Sequence, residues 1–447
     1  MKKWLNLTVS LFFLSVNAHA VDPFDVFQQK SPAGCIDRDI LKAELGLPEL
    51  IEIGMCQNPK LSRGYMEVKS NEASVGKEKS SYLPSVSLSG ELMNSYNKVE
   101  GKNSLNDDPY ALNAAVSWLV YDFGGRSSRV KRAENYLLST QFSYNALIKD
   151  TVLDINSAYF DLLSAQEVLK SAKTSEASFK KSYEESSRRY ELGLVSLSDK
   201  LLAKTSYEQS RLEVVLAANQ VKTNQGKLAE LLNISPTIEL KLLKPKNDKD
   251  LTKLAIEGMS IDEMIEMALS LRPEIQKMQK DIDAAIENIN VQKAAAMPSV
   301  SLGASAGYND NWKEHNLAGH SNSIGLKLSV PLFTGFSDTY KIKEASYQKE
   351  QADDLKKEMI DLVKNEVWTA YHNYNAAVSS YEISQKALES AVENERVAFA
   401  SYQVGKGDIL NLLTAGSQLS NARKEVIVAY YSVLTSKAKL YRAIGRF

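Results

Sequence analysis

The chain has 447 residues and a formal net charge of −1 at pH 7. This balance argues against nucleic acid as a partner, because proteins that bind it carry a basic excess. After the first 20 residues no run of about 18 apolar residues occurs, so no transmembrane helix is expected. The aromatic residues are mainly tyrosine, 21 against 12 phenylalanines and 4 tryptophans, which suits surfaces that are wet on one side and apolar on the other.

Residues 1–20 have the pattern of a secretory signal peptide. Lys2 and Lys3 form the basic end, residues 5–16 form the apolar core, and residues 18–20 form a small-residue cleavage site. The mature protein is therefore expected to be exported. Residues 21–47 are interrupted by prolines and glycines and are predicted to be an irregular lead-in.

Two cysteines, Cys35 and Cys56, are present. An even count in an exported chain predicts one disulfide between them. A metal site or a reactive thiol is the alternative. Lipidation of Cys35 is a further alternative, because Gly34 precedes it as in a lipobox, but Pro32 stands where an aliphatic residue is required.

Two long stretches, residues 126–192 and 338–404, contain no glycine and no proline. In the first, apolar residues recur mainly at steps of three, four and seven, which is a helical period. A helix over such a stretch would be about 100 Å long, far beyond the average for globular proteins. The chain is therefore predicted to be built around two unusually long helices.

Two segments with a period of two precede each long helix. In the first, Val86, Leu88 and Leu92 alternate with serines and a glutamate, which predicts a strand with one apolar and one polar face. The four strands are expected at about residues 84–98, 110–122, 298–309 and 322–334, with polar loops inside each pair.

The chain also repeats itself. Residues 83–88 match residues 297–302 at a separation of 214, and residues 190–193 match 402–405 at a separation of 212. These matches predict two tandem repeats of helix, β-hairpin, long helix and helix. Repeat 1 is assigned to residues 48–235 and repeat 2 to residues 260–447, and the Lys- and Asp-rich residues 236–259 are predicted to be a linker.

The strands have the length and the two-faced pattern of membrane-spanning β-strands. A small soluble sandwich would explain the alternation, but not its place at the ends of such long helices. Four strands cannot close a barrel, for which about 8 are the practical minimum, and open sheet edges are not tolerated in lipid. Three copies would supply about 12 strands, within the known range for outer-membrane barrels.

On these motifs, in this order and in two copies, the chain resembles the TolC family of outer-membrane export channels over nearly all of its mature length. The residues that carry the resemblance are Asn58-Pro59, residues 82–86, residues 121–125, Arg189-Tyr190 with Gly193, residues 331–333 with Gly335, and Tyr402 with Gly405. The resemblance implies a homotrimer with a barrel of about 12 strands in the outer membrane, joined to a long α-helical periplasmic tunnel. It also implies two partners, a periplasmic adaptor (membrane fusion protein) and an inner-membrane transporter.

Two groups of candidate site residues follow from this resemblance. The helical turns are expected to dock the adaptor through Tyr190, Gly193, Leu194, Tyr402, Gly405 and Gly407, although glycine turns also serve simply as helix caps. The extra glycine of Gly405-Lys406-Gly407 is expected to make the second turn the more flexible one. Glu389, Glu393 and Arg396 share one helix face and are candidates for a charged pore gate, the alternative being a solvated face.

No catalytic grouping, phosphate-binding loop or cofactor motif is found in the sequence, so an enzyme is not expected and export energy must come from a partner. His315 and His320 share a predicted loop, but two ligands are too few for a metal site. The competing functions are a periplasmic coiled-coil adaptor and a surface coiled-coil structural protein, and the repeated strand pairs argue against both. Protein export by type I secretion and small-molecule efflux remain open as cargo classes, with a slight preference for the first.

Overall fold

The computed structural model describes residues 44–97, 105–107, 109–245, 258–311 and 318–446. The chain divides into two compact units. Among the described residues, the first unit contains residues 68–138 and 280–352, and the second contains residues 44–67, 139–279 and 353–446. The long strands lie in the first unit, and the large buried apolar clusters lie in the second.

The helices of the two repeats match one another. In chain order they are α1 (Leu47–Gln57), α2 (Pro59–Ser80), α3 (Gly125–Glu191), α4 (Leu197–Leu231), α5 (Ile261–Leu271), α6 (Pro273–Ala295), α7 (Ser337–Gln403) and α8 (Ile409–Ala443). α1 and α5 each have 11 residues, α3 and α7 have 67, and α4 and α8 have 35. The prediction of two tandem repeats built on two long helices is confirmed.

Local sequence signals explain where these helices begin. Pro59 and Pro273 are the first residues of α2 and α6, where the missing proline N–H removes no helical hydrogen bond. α4 starts with a capping box: the Asp199 N–H donates to Ser196 Oγ and the Ser196 N–H donates to Asp199 Oδ2, both at 3.1 Å. The helix boundaries are thus set by residues within one turn of each end.

The strands form one main sheet and two short pairs. In chain order the strands are β1 (Glu44–Leu45), β2 (Ser85–Leu92), β3 (Ser95–Asn97), β4 (Leu105–Asp107), β5 (Pro109–Tyr121), β6 (Lys241–Leu242), β7 (Ser299–Asn311) and β8 (Gly319–Ser329). The main sheet has the order β2-β5-β7-β8, and every neighbouring pair is antiparallel. Within the described residues, β2 and β8 are the outer strands and each has a single neighbour.

The register of the main sheet separates apolar from polar side chains. One row across the four strands is Val86, Val116, Ala304 and Ile324. The next row, on the opposite face, is Ser87, Ala115, Ser305 and Ser323. The apolar face is open to the surroundings at both outer strands, where Val86 is 76% and Ile324 is 79% exposed.

Two strands differ in extent from their expected ranges. β2 ends at Leu92, and the chain resumes as β3 only at Ser95, whereas one strand was expected over residues 84–98. β8 covers Gly319–Ser329 rather than 322–334. It ends there because Pro331 lacks the N–H that a paired strand would need.

The segments expected to be a lead-in and a solvated linker meet in the second unit. β1 and β6 pair in parallel, with Glu44 opposite Lys241 and Leu45 opposite Leu242. The Leu243 N–H also donates to the Leu45 carbonyl at 2.9 Å. The start of the expected linker is therefore attached to the fold, while residues 246–257 lie outside the described part of the chain.

In the first unit, Arg126 holds the end of β5. Its backbone N–H donates to Asp122 Oδ2 at 2.7 Å, and its guanidinium donates to the carbonyls of Leu119 and Val120. The same guanidinium lies 4.8 Å from the centre of the Tyr82 ring. The Arg126 side chain therefore closes the backbone groups where the strand becomes a helix. The corresponding position in repeat 2, 212 residues later, is Asp338.

The second unit contains a buried ion network that joins four helices. Arg272 and Arg442 are 5% and 6% exposed, and both donate to Glu274. Arg272 also pairs with Glu366, and Arg442 donates from Nε to Asp150 at 2.8 Å. Burial alone would raise the pKa of Glu274, but the hydrogen bonds from the two arginines outweigh it and hold that pKa at about 2.

None of the helices in the described ranges carries a stretch that is long and apolar enough to cross a bilayer.

We expect the substitution Glu274→Gln to destabilise the second unit by about 3 kcal/mol, because two buried arginines then lose their shared carboxylate. The measurement is the midpoint of thermal unfolding of the purified protein. Glu266→Gln, on the exposed surface of α5, is the control and should change stability by less than about 0.5 kcal/mol. Equal midpoints for the two variants would contradict the assigned role.

The same network gives a pH dependence. The folded-state pKa of Glu274 is lowered from 4.5 to about 2, so its contribution is fully present above about pH 4.5 and is lost as the pH falls towards 2. The acid-induced drop in the unfolding midpoint should be smaller in Glu274→Gln than in the unmodified chain. An unchanged drop would show that other carboxylates cause it.

Candidate functional site

The turn between α3 and α4 is closed by Gly193. The Leu194 N–H donates to the Arg189 carbonyl and the Gly193 N–H donates to the Tyr190 carbonyl, both at 2.9 Å. This is a Schellman cap, and it requires the left-handed backbone that Gly193 adopts with φ of +70°. Gly193 is thus fixed by backbone geometry, whatever its role in binding.

The turn between α7 and α8 repeats this cap and adds a second glycine. Gly405 has φ of +75°, and the Lys406 N–H donates to the Ser401 carbonyl at 2.9 Å. The Gly407 N–H donates to the same carbonyl at 3.0 Å. A Cβ at Gly407 would lie 3.1 Å from the Tyr402 backbone nitrogen, so close packing against the helix end accounts for this glycine.

Arg189 connects the two turns within the second unit. It lies in the last turn of α3 and donates to the carbonyls of Tyr402 and Gln403, the last two residues of α7, at 3.0 and 2.8 Å. Its Nε donates to Glu185 at 3.0 Å, and its guanidinium lies 4.6 Å from the centre of the Tyr402 ring. One side chain therefore caps a helix that belongs to the other repeat.

The two tyrosines predicted for docking differ in exposure. Tyr190 is 38% exposed, and the Lys200 ammonium lies 5.2 Å from its ring centre. Tyr402 is only 3% exposed, and its hydroxyl is buried without a hydrogen-bond partner among the described residues. The Tyr402 ring therefore supports Arg189 in this structure and is not part of the outer surface.

Exposed aliphatic side chains surround both turns. Leu192, Leu194 and Val404 are 68%, 70% and 70% exposed. Leu197 and Leu410, at the starts of α4 and α8, are 51% and 61% exposed. We name these five residues the turn surface. Isolated exposed aliphatic residues are common, but five of them close to two helix caps form a surface suited to apolar contact.

The candidate gate residues are exposed on α7. Arg396 donates to both oxygens of Glu393, at 2.8 and 2.6 Å, and this pairing lowers the pKa of the Glu393 carboxyl. Glu389 is exposed and lies four residues before Glu393. Arg396 therefore compensates one of the two acidic charges within the same helix.

The other candidate residues of the sequence fall partly outside the described chain. Cys56 is described and Cys35 is not, so the expected disulfide stays a prediction. His320 is exposed with its ring 5.1 Å from that of Tyr308, and His315 lies outside the described ranges. No group of three or more potential metal ligands occurs among the residues that the structure describes.

Arg189 was not identified as a site residue from the sequence, where it appeared only as part of a family motif. Its partners are backbone carbonyls more than 200 residues away, which leave no side-chain pattern to find. The available signal was indirect: the last turn of α3 carries two arginines, whereas the last turn of α7 carries no basic residue.

We expect Arg189→Ala to loosen the end of α7, because two carbonyls lose a charged donor. The cost should be about 2 kcal/mol, or roughly 30-fold faster amide exchange around residues 400–407. Hydrogen–deuterium exchange measured by mass spectrometry tests this. Arg188→Ala is the matched control, since the Arg188 side chain is 71% exposed and forms only a surface pair with Glu185. Similar exchange in the two variants would rule out the cap.

Known proteins resemble this chain over most of its length. The family profile described as outer membrane efflux protein matches residues 50–233 and 264–446. The protein CyaE of Bordetella pertussis is 27% identical over 90% of this chain and 84% of its own. The outer membrane protein TolC of Escherichia coli K12 is 22% identical over 89% and 82%.

A solved structure shows the same fold. The outer membrane protein VceC of Vibrio cholerae superimposes with a TM-score of 0.76, at 18% identity, over 89% of this chain and 96% of that one. The two matched segments of the family profile together cover most of the sequence, one in each repeat. The resemblance inferred from the sequence motifs is thereby confirmed, and the chain belongs to the outer membrane efflux protein family.

Proposed function

We propose that this chain is the outer-membrane conduit of a tripartite export system, through which protein or small-molecule cargo passes from the periplasm to the exterior. The main sheet carries the proposal. Its apolar face is exposed over both outer strands, with Val86, Leu88, Ile324 and Leu326 each more than 70% exposed. Such a face is costly in water and favourable in lipid.

Closure of the sheet needs further copies of the chain. In lipid every backbone N–H and C=O must find a partner, and β2 and β8 each have one neighbour among the described strands. The antiparallel order places β8 of one copy suitably beside β2 of the next. Three copies of the four-stranded sheet give about 12 strands, a size known for outer-membrane barrels. We therefore propose a homotrimer.

The helical part supplies the periplasmic section of the conduit in this proposal. The turn surface, with its five exposed aliphatic residues, would receive the helical hairpin of a periplasmic adaptor. The cap glycines Gly193 and Gly405 would shape this surface rather than contact the adaptor through side chains. An inner-membrane transporter would supply the energy.

Glu389, Glu393 and Arg396 would form a charged ring where copies of α7 approach one another. Since Arg396 neutralises Glu393 within each copy, the ring would be less acidic than its two glutamates suggest. A charged ring at a constriction favours ions of opposite charge.

The test is the oligomeric mass of protein extracted from outer membranes in detergent, together with single-channel conductance in a planar bilayer. A trimer with small, gated conductance is the expected result. A monomer without conductance would reject the conduit. Export assays in cells that lack the protein, with a secreted protein and a small toxic compound as parallel cargoes, distinguish the two cargo classes.

We expect Ile324→Arg to reduce the yield and stability of the membrane-inserted trimer, because a charge on the lipid face costs about 2–4 kcal/mol near the midplane. Ser323→Arg is the matched control: it adds the same side chain one residue away on the opposite face of β8. Trimer retained in heat-graded gel electrophoresis is the measurement. If Ser323→Arg proves as harmful as Ile324→Arg, the proposed lipid face is wrong.

We also expect Arg396→Ala to increase the preference of the channel for cations, since Glu393 then loses its paired charge. The reversal potential in a salt gradient measures this preference. Lys386→Ala removes one positive charge from the same helix on another face and should leave the reversal potential nearly unchanged. A shift of equal size in both variants would remove these residues from the gate.

A further inference from the structure

Two phenylalanines adopt left-handed backbone conformations at equivalent places in the two repeats. Phe123 has φ of +50° and Phe336 has φ of +65°, each in the segment between a strand and a 67-residue helix. Asn233 is the one other non-glycine residue with positive φ in the described part of the chain. Asparagine tolerates this conformation, but phenylalanine does so at an energetic cost. The cost points to a function for the two rings.

A β-bulge directs the first of these regions towards the apolar face of the sheet. The register between β5 and β7 shifts between Leu119 and Tyr121, so Tyr121 and not Val120 lies opposite Val300. Tyr121 therefore shares the face of Val300 and Leu328. The Phe123 ring packs edge-on against Tyr121, with centres 4.9 Å apart, and the two residues remain 49% and 53% exposed.

The second region has the same aromatic arrangement by a different route. Phe333 and Phe336 pack edge-on with centres 5.5 Å apart, and they are 77% and 64% exposed. Leu332, beside them, is 92% exposed. Each repeat thus presents one edge-on aromatic pair at the end of the apolar face, although the sequences of the two turns differ.

Polar and charged groups lie beside both pairs. Near the first, the Trp118 indole N–H donates to the Tyr82 carbonyl at 2.9 Å, and Arg129 and Asp122 form an ion pair at 3.5 Å. Near the second, Lys341 and Asp338 form a similar pair at 3.5 Å. Charges balanced in this way, beside rings that are apolar on one side, fit the headgroup region of a zwitterionic phospholipid.

We propose that the left-handed residues Phe123 and Phe336, with Tyr121 and Phe333, anchor the chain in the headgroup region of a zwitterionic phospholipid leaflet. The backbone cost at Phe123 and Phe336 is offset by placing each ring at the boundary between lipid and water. This inference rests on the proposed function, which places the apolar face in lipid, and it adds where the boundary lies and which residues hold it.

A second copy of the chain is a less suitable occupant at Phe123. This residue follows β5, which is paired with β2 on one side and β7 on the other. The surfaces open to a neighbouring copy are the outer strands β2 and β8. Phe123 is therefore the diagnostic position, because lipid is the surface that the proposed assembly leaves to it.

The test uses tryptophan as a depth reporter in the full chain, reconstituted in phosphatidylethanolamine and phosphatidylcholine vesicles. The tryptophans after residue 20, Trp118, Trp312 and Trp368, are first replaced by phenylalanine. Phe123→Trp is then the reporter. Ile324→Trp reports on the middle of the apolar face, and Tyr190→Trp reports on water. The quenchers are lipids brominated at shallow or deep acyl positions, and iodide in the buffer.

The expected result is that shallow bromines reduce the fluorescence of Phe123→Trp more than deep bromines do, while Ile324→Trp shows the reverse order. The proposal is overturned if Ile324→Trp is quenched by lipid but Phe123→Trp responds to iodide alone, as Tyr190→Trp should, or to neither quencher. If Ile324→Trp is not quenched by lipid either, the proposed function fails together with it.

The backbone part of the proposal has its own test. Phe123→Gly and Phe123→Ala both remove the ring, but glycine alone adopts φ of +50° without cost. In detergent, Phe123→Gly should therefore unfold at a higher temperature than Phe123→Ala. Asn233→Gly against Asn233→Ala is the matched pair at the other left-handed position. Equal midpoints for the two Phe123 variants would overturn the assignment of backbone strain.

Discussion

The outer strands of the main sheet impose the constraint on which the rest of the structure depends. β2 and β8 each leave one row of backbone N–H and C=O groups without a neighbouring strand among the described residues. In water such an edge is an aggregation risk, and in lipid it is not tolerated. The exposed apolar face places the sheet in lipid, so the edges must be paired by other copies. A chain that supplies four strands is for this reason an incomplete unit of a larger closed structure.

The two repeats preserve their backbone but not their side-chain chemistry. α3 and α7 have 67 residues each, yet the strand-to-helix turn before α3 is braced by Arg126 while the one before α7 has Asp338 in its place. Before Pro59 stands Asn58, which caps α4 through the Leu231 carbonyl, whereas Arg272 before Pro273 enters an ion network. Helix length and strand number are therefore what the assembly requires twice, and local bracing is free to differ.

The features that the sequence predicted are the local and periodic ones. Long stretches without glycine or proline defined α3 and α7, and a period of two defined the strands and their apolar face. Pro331 shows how a single residue then limits a strand that the alternation alone would extend.

The features that the sequence did not predict depend on distant partners. The pairing of β1 with β6 involves two residues on each side, too few to leave a pattern. The bulge at Val120 changes the facing of Tyr121 without changing its surroundings in sequence. Arg442 meets Asp150 across 292 residues, and each of them alone reads as an ordinary charged residue on a helix.

Arg189 shows what the duplication makes possible at the turns. α7 ends without a basic residue in its last turn, so its terminal carbonyls would face solvent or lack a favourable charge. α3 ends with two arginines, and Arg189 donates across to the carbonyls of Tyr402 and Gln403. Its guanidinium lies over Tyr402, whose burial is explained by this contact.

The second turn was expected to be the more flexible one because it contains two glycines. The geometry gives both glycines a specific reason: Gly405 supplies the left-handed cap, and Gly407 allows close approach to the Tyr402 nitrogen. Arg189 then ties this turn to the end of α3. A change in the position of either helix end must break or carry along the same guanidinium contacts, so the two turns are mechanically coupled through one side chain.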